Sequence, residues 1–110
     1  MEYRSGRNRV SQHLVYVTPS ALHEIKNLPG YVRQRIKRAI DALANDPYPS
    51  EGKALNLLSD PACEVWRLRL DRWRVVYAIT NKDKIIDVLA IRKRPPYDYG
   101  DLEKLLTEKV

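Results

Sequence analysis

The chain has 110 residues, of which 44% are hydrophobic and 31% charged, enough for one domain with a modest core and too few for two. No stretch approaches the roughly 20 apolar residues that span a bilayer, and the first ten residues lack the apolar run of a secretory signal. The single cysteine, Cys63, excludes an intramolecular disulfide and supplies no metal-ligand spacing. We therefore expect a cytoplasmic protein that needs no membrane, metal or cofactor.

The net charge of +6 and the pI of about 9.6 are the most informative bulk properties. Small basic domains often bind nucleic acid, because each phosphate that they neutralise releases a condensed counterion. Many small basic proteins nevertheless bind no nucleic acid. The position of the charge along the chain must therefore decide between these interpretations.

The first third of the chain predicts an arm, a strand and a helix. Residues 1–12 are polar and basic without periodicity, and residues 13–17 are rich in β-branched and aromatic side chains. Thr18 followed by Pro19 is the pattern of a helix N-cap and first helical position, and Leu28-Pro29-Gly30 ends the helix. The apolar face of this predicted helix comprises Ala21, Leu22, Ile25 and Leu28.

A second helix follows, because apolar residues recur at helical spacing until Asn45-Asp46-Pro47 ends the pattern. These apolar residues are Val32, Ile36, Ala39, Ile40 and Leu43. The other face carries Arg33, Arg35, Lys37 and Arg38, and is either a solvated face or a contact with RNA.

Residues 46–63 contain three prolines and a glycine, which predicts a long connecting loop with at most a short turn at Ala54–Leu58. Three strand-like runs follow, Glu64–Leu70, Trp73–Thr80 and Lys84–Arg92, with a turn at residues 81–83 between the last two.

An irregular segment then leads to Asp101, which can cap a short last helix. The sequence predicts an α+β domain over residues 13–110. Its elements follow a β-α-α-β-β-β order, in which a helical hairpin packs on one face of a small antiparallel sheet and a short C-terminal helix completes the chain.

Strand alternation places arginines together on one face of the first hairpin. If Asp71-Arg72 forms its turn, Leu70 lies opposite Trp73 and Arg69 lies opposite Arg74. Arg67 shares the face of Arg69, whereas Trp66 lies on the apolar face and is interpreted as core. Like charges on neighbouring strands cost about 0.2–1 kcal/mol per pair, so the fold itself does not require this arrangement.

The surrounding region carries most of the net charge of the chain. Residues 64–94 contain nine basic and four acidic residues, and so hold +5 of the +6. Arginine suits phosphate because its fork binds two oxygens and its charge does not titrate away. Tyr97 and Tyr99, in the irregular segment, are candidates for stacking on bases. A phosphate-binding sheet is favoured over an ordinary solvated face.

The hairpin sequences Glu64–Leu70 and Trp73–Tyr77 resemble the central hairpin of the RelE/ParE toxin superfamily. The resemblance extends to Val88–Ile91 with the basic run after it, and to Ala42–Pro47 followed by Lys53-Ala54-Leu55, so that it covers about residues 14–106. It implies a compact α+β fold and a cognate antitoxin protein. For the RelE branch it also implies metal-independent cleavage of mRNA at the ribosomal A site, which inhibits translation.

The resemblance also assigns roles by position. Arg67 and Arg69 match two basic residues on the first hairpin strand, and Arg74 matches an arginine that holds phosphate. Arg94 matches a second arginine after the last strand, and Tyr99, with Tyr97 as the alternative, matches a tyrosine that stacks on or orients the substrate. The further candidates for substrate binding are Tyr97, Arg72, Arg92, Lys93 and Lys53.

The reaction that the resemblance implies is attack of a ribose 2′-OH on phosphorus, which builds negative charge that fixed cations stabilise. Arginine is a poor general base at neutral pH. Either electrostatics and positioning carry the rate, or Tyr97, Tyr99 or Glu64 takes the proton. Two rival functions share the charge pattern, namely a ParE-like inhibitor of DNA gyrase and a noncatalytic RNA- or ribosome-binding module.

Overall fold

Five strands form one sheet in a computed structural model that describes residues 12–55 and 62–93. The strands are β1 (Leu14–Val17), β2 (Gly52–Leu55), β3 (Glu64–Leu70), β4 (Trp73–Thr80) and β5 (Ile85–Lys93). The helices α1 (Pro19–Lys26) and α2 (Gly30–Ala42) follow β1 in the chain. The strand order across the sheet is β1-β5-β4-β3-β2. The predicted α+β class is confirmed.

Helix α1 begins where the sequence predicts. The Thr18 hydroxyl accepts a hydrogen bond from the Ala21 N–H at 3.3 Å, and Pro19 occupies the first turn, where its missing N–H leaves no intrahelical bond unmade. Ala21 and Ile25, one turn apart, are buried. The prediction for Leu22 was wrong: its side chain is 44% exposed, because it lies about 100° around the helix from Ala21.

Helix α2 buries Val32, Ile36 and Ile40, which lie at intervals of four residues on one side. Leu43 follows the last helical residue and is buried as well. These side chains pack with Leu68 and other residues of one sheet face into the main core. Neither helix in the described part of the chain is long and apolar enough to cross a membrane.

The sheet is mixed, which refines the predicted antiparallel sheet in two places. Strand β1 pairs in parallel with β5, whereas the pairs β2–β3, β3–β4 and β4–β5 are antiparallel. Strand β2 lies where a connecting loop or a turn starting at Ala54 was predicted. Its four residues carry no apolar alternation, and the edge strand is held by its ladder with β3, so no periodic pattern revealed it.

The β3–β4 hairpin has the predicted register. Leu70 pairs with Trp73 and Arg69 with Arg74, across a turn made of Asp71 and Arg72. Asp71 has a φ of 57°, in the left-handed region that Asp tolerates better than most residues. Strand β5 begins one residue later than predicted, because Lys84, with a φ of 54°, belongs to the turn.

The remaining predicted elements lie outside the described residues. They are most of the N-terminal arm, the segment with Tyr97 and Tyr99, and the last helix.

Tyr77 lies at the centre of the main core and is fully buried. Its hydroxyl donates a hydrogen bond to the Pro47 carbonyl at 2.7 Å, and so ties β4 to the segment that follows α2. Burial raises the pKa of this hydroxyl well above its usual value.

Replacing Tyr77 with Phe tests this contact. We expect Tyr77→Phe to lower the free energy of unfolding by about 1 kcal/mol near neutral pH, because the Pro47 carbonyl loses its partner. The raised pKa stabilises the wild type fully below about pH 10, and this contribution is lost as the pH rises towards the folded-state pKa. Stability should therefore fall less steeply above pH 10 in Tyr77→Phe than in the wild type.

Urea unfolding at about pH 7 and pH 10.5 measures both effects. Tyr31→Phe, at a side chain that is 80% exposed, is the matched control and should change neither. Equal alkaline slopes for the wild type and Tyr77→Phe would contradict this account of Tyr77.

Candidate functional site

Arginines stand at one register position on three neighbouring strands. Arg69 of β3 pairs with Arg74 of β4, which pairs with Arg92 of β5. We call these three residues the arginine row. Arg69 and Arg74 alternate with Leu68, Leu70 and Trp73, which pack towards the helices, so they lie on the opposite face of the sheet. The structure therefore brings together three arginines on neighbouring strands, although their mutual repulsion is unfavourable for the stability of the sheet.

Two further basic residues lie beside the arginine row on the same face. Lys53 of β2 pairs directly with Arg67 of β3, and Arg67 pairs with Val76 of β4. Lys53 is exposed and Arg67 is half-buried. Arg67 lies two residues from Arg69 on the same strand, about 7 Å along it. The candidates from the hairpin and from β2 therefore share one surface.

The same face also holds a second apolar cluster that the sequence analysis missed. It comprises Val65, Val76, Ala78, Leu89 and Ala90. β4 and β5 have neighbours on both sides in the sheet, and their near-continuous apolar runs are typical of strands buried on both faces. A β-bulge at Val76/Tyr77 helps to form the cluster, because Ala90 pairs with Val76 and Val88 with Tyr77, which leaves Leu89 between them. The basic surface is therefore confined to one end of this face.

Arg74 is held at the hairpin turn by main-chain acceptors. Its Nη1 donates to the Asp71 carbonyl at 2.8 Å and to the Trp73 carbonyl at 3.0 Å. The side chain is half-buried. A guanidinium fixed in this way is preorganised, since it need not be reoriented when a charged ligand arrives.

Arg92 is paired with an acidic residue that the sequence analysis did not single out. Its Nη1 lies 2.9 Å from the Glu24 Oε2, and the Ile91 N–H donates to the other carboxylate oxygen at 2.7 Å. β1 pairs with β5 only as far as Val88, so Glu24 of α1 takes the place of β1 beside Ile91. This contact anchors one end of the arginine row to α1 and offsets part of its charge.

Two other candidates lie away from the arginine row or at its edge. Lys93 pairs with Trp73 on the helix-bearing face, and its Nζ lies 5.5 Å from the centroid of the Trp73 ring. Arg72 is exposed in the hairpin turn. Arg94 lies outside the described residues, as do Tyr97 and Tyr99.

Glu64, one of the bases considered from the sequence, lies away from the arginine row. Glu64 stands at the far end of β3, five residues and about 16 Å from Arg69, and shares the strand face of Trp66. Its carboxylate accepts from the Trp66 Nε1 at 3.0 Å and from the Asn81 Nδ2 at 2.9 Å. Glu64 therefore supports the packing of Trp66.

A shallow depression at the hairpin end of the sheet contains two charged residues that were not expected there. It is lined by Arg35, Glu51, Arg69, Leu70, Asp71 and Arg74. Arg35 reaches it from α2 and forms an ion pair with the Asp71 carboxylate. The Arg35 hydrogen bond and charge lower the pKa of the Asp71 carboxyl below its usual value. Helical periodicity had placed Arg35 on the face of α2 that was expected either to be solvated or to contact RNA, and Glu51 had fallen in a predicted loop.

The chemistry available on this surface is cationic. The arginines can hold phosphate oxygens and stabilise charge that develops on them. Within residues 12–55 and 62–93, no three His, Cys, Asp or Glu side chains come close enough together to hold a metal ion.

This combination of fold and basic sheet surface matches a known class of protein. Residues 15–95 match the family model described as ParE toxin of type II toxin–antitoxin system, parDE. The chain belongs to this family, within the RelE/ParE toxin superfamily.

The relatives point to the RelE kind of toxin. A Methanocaldococcus jannaschii protein assigned as toxin RelE1 is 30% identical over 80 residues, which are 73% of this chain and 88% of the relative. The crystal structure of the RelE–RelB complex from Pyrococcus horikoshii matches with a TM-score of 0.69 and 25% identity, over 77% of this chain and 98% of that one. A RelBE2 toxin–antitoxin complex from Mycobacterium tuberculosis shares the fold, with a TM-score of 0.61 and 19% identity, over 76% of this chain and 99% of that one.

Removing Glu24 tests how the arginine row is anchored. We expect Glu24→Ala to lower the free energy of unfolding by about 1 kcal/mol, since the half-exposed carboxylate makes two hydrogen bonds, one of them to a charged group. The Ile91 amide should also exchange its hydrogen faster with solvent.

Hydrogen exchange followed by NMR and urea unfolding check both effects. Asp83→Ala, which removes the same charge from the exposed β4–β5 turn, is the control. If the Ile91 amide hydrogen exchanges as slowly in Glu24→Ala as in the wild type, the Glu24 carboxylate does not protect this edge of β5 from solvent.

Proposed function

We propose that this toxin is a ribosome-dependent endoribonuclease that cleaves mRNA in the ribosomal A site and so inhibits translation. The observation that carries the proposal is the arginine row, with Arg67 and Lys53 beside it on one sheet face. Neighbouring like charges oppose folding, so their presence calls for a polyanionic ligand. A phosphodiester backbone supplies such a ligand.

The reaction needs no group beyond the RNA and the protein. The ribose 2′-oxygen forms a bond to the adjacent phosphorus, and the bond from phosphorus to the 5′-oxygen of the next nucleotide breaks. The products are a 2′,3′-cyclic phosphate and a free 5′-hydroxyl. In this proposal Arg69 and Arg74 stabilise the charge that builds on the nonbridging oxygens. The hydrogen bonds of Arg74 to main-chain carbonyls support this role, because a fixed guanidinium acts without reorganisation.

In this proposal the 2′-OH proton passes to a tyrosine in its phenolate form, and the 5′-oxygen takes up a proton from water as it leaves. Arginine holds its own proton too tightly to act as a base, and Glu64 lies on the other face of the sheet. Tyr99, with Tyr97 as the alternative, remains the candidate from the sequence. Arg94 keeps its predicted role as a second phosphate-binding arginine.

The proposal includes an antitoxin protein as a partner. The structures from P. horikoshii and M. tuberculosis are complexes of RelE with RelB and of RelBE2. By analogy, we expect this chain to be bound and neutralised in the cytoplasm by a cognate antitoxin, and to reach ribosomes and mRNA when released.

Cleavage in a purified translation system tests the enzymatic claim. The cut positions are mapped by primer extension for the wild type and for Arg74→Ala. We expect codon-positioned cuts that need the ribosome, and a rate at least about 100-fold lower in Arg74→Ala, because a preorganised contact to the transition state is lost. Lys82→Ala, which removes one positive charge from the exposed β4–β5 turn, should cut like the wild type.

Binding separates an enzyme from a noncatalytic module. In an enzyme, Arg74→Ala should keep most of its ribosome affinity while losing cleavage. In a binding module, loss of any phosphate contact should weaken binding by a similar step, and no cuts should appear for the wild type. Absence of cuts with undisturbed translation would contradict the proposal.

A second candidate is a ParE-like inhibitor of DNA gyrase, which the description of the matching family model favours. A gyrase inhibitor would block supercoiling of relaxed plasmid without any cleavage of mRNA. Supercoiling assays with the same wild-type protein distinguish the two targets directly.

A further inference from the structure

An ion pair between Arg35 and Asp71 joins helix α2 to the β3–β4 turn. The two residues are 36 positions apart in the chain. Both side chains are largely solvent-accessible, with exposed fractions of 48% for Arg35 and 69% for Asp71. The contact therefore links two distant elements at the surface.

Asp71 contacts two different arginines through two different groups. Its side-chain carboxylate accepts from Arg35, and its main-chain carbonyl accepts from the Arg74 Nη1 at 2.8 Å. The left-handed conformation of Asp71, with a φ of 57°, sets the direction of that carbonyl relative to the carboxylate. The orientation of the Arg74 guanidinium thus depends on how the turn is held.

From this geometry we infer that Arg35 and Asp71 are a positioning pair that holds Arg74 in its active orientation. The inference rests on the proposed function only in giving Arg74 a role in RNA cleavage. Arg35 acts through Asp71 and is a positioning residue, while Arg74 contacts the phosphate.

The pair is poorly placed to serve stability alone. Exposed ion pairs contribute little to the free energy of unfolding, and here the hairpin register is already set by seven residue pairs between β3 and β4. What the pair does fix is the turn carbonyl beside Arg74. Loss of the ion pair should therefore lower the cleavage rate more clearly than it lowers the free energy of unfolding.

The first test is the cleavage rate of Arg35→Ala at saturating ribosome concentration. We expect a rate about two- to fivefold lower than that of the wild type, the range that the loss of one exposed ion pair allows, with an unchanged half-saturating concentration. Lys26→Ala, which removes one positive charge from the exposed end of α1, should retain the full rate. Urea unfolding of all variants verifies that they are folded.

Exchanging the two charges tests whether the ion pair itself, and not either side chain alone, is what holds Arg74. Arg35→Glu combined with Asp71→Lys restores an ion pair of opposite polarity, and it should recover a rate above that of either single substitution. Lysine is acceptable in the left-handed conformation of this fold, as Lys84 shows with a φ of 54°. A double variant no faster than the faster of the two single variants would overturn the inference.

A double-mutant cycle tests whether Arg35 acts through Arg74. When Arg74→Ala is already present, adding Arg35→Ala should leave the residual rate unchanged. An equal fold-loss in both backgrounds would show that Arg35 acts independently of Arg74, and would overturn the inference while leaving the proposed nuclease intact.

If the wild type cuts no RNA, the proposed function is overturned but the positioning of Arg74 by Arg35 and Asp71 can still be measured in the folded protein. NMR of the Arg74 side-chain Nε–H reports its order in the folded protein. We expect lower order in Arg35→Ala than in the wild type or Lys26→Ala, together with a rise in the pKa of Asp71 as its partner is lost. Unchanged order of Arg74 in Arg35→Ala would overturn the positioning role.

Discussion

The register of the β3–β4 hairpin governs both the core and the basic surface. Seven residue pairs across the two-residue turn send Leu68 and Val75 to the helices, and Arg69 and Arg74 to the other face. Because side chains alternate, a slip of one residue would bury the arginines and expose the core. The same apolar burial that stabilises the fold therefore fixes where the cations stand.

Concentrating cations on neighbouring strands opposes folding, and the structure offsets this cost around the edges of the arginine row. Glu24 of α1 pairs with Arg92, and main-chain carbonyls at the turn hold Arg74. At the same turn, the Asp71 carboxylate pairs with Arg35 of α2, so that this further arginine adds no net charge beside the arginine row. Both helices thus contribute one charged residue to the support of the basic surface, in addition to the apolar side chains that form the core.

Local sequence patterns predicted most helices and strands and the β3–β4 hairpin, but they did not predict contacts between residues far apart in the chain. Alternation gave the bounds of β3 and β4 and the pairing of Arg69 with Arg74, because that pairing follows from the turn length alone. The short edge strand β2 has no such pattern. The roles of Glu24 and Arg35 depend on how α1 and α2 pack against the sheet, which no spacing within either helix encodes. The second apolar cluster was missed, although the near-continuous apolar run of β4 carries the signal of a strand buried on both faces.

The chemical ends of cleaved mRNA test the central claim most directly, namely that fixed arginines promote attack by the ribose 2′-OH. Upstream fragments from a translation reaction with the wild-type toxin should end in a 2′,3′-cyclic phosphate, and downstream fragments should begin with a 5′-hydroxyl. Fragments ending in a 3′-hydroxyl next to a 5′-phosphate would contradict the account, since such ends require an external water as the nucleophile.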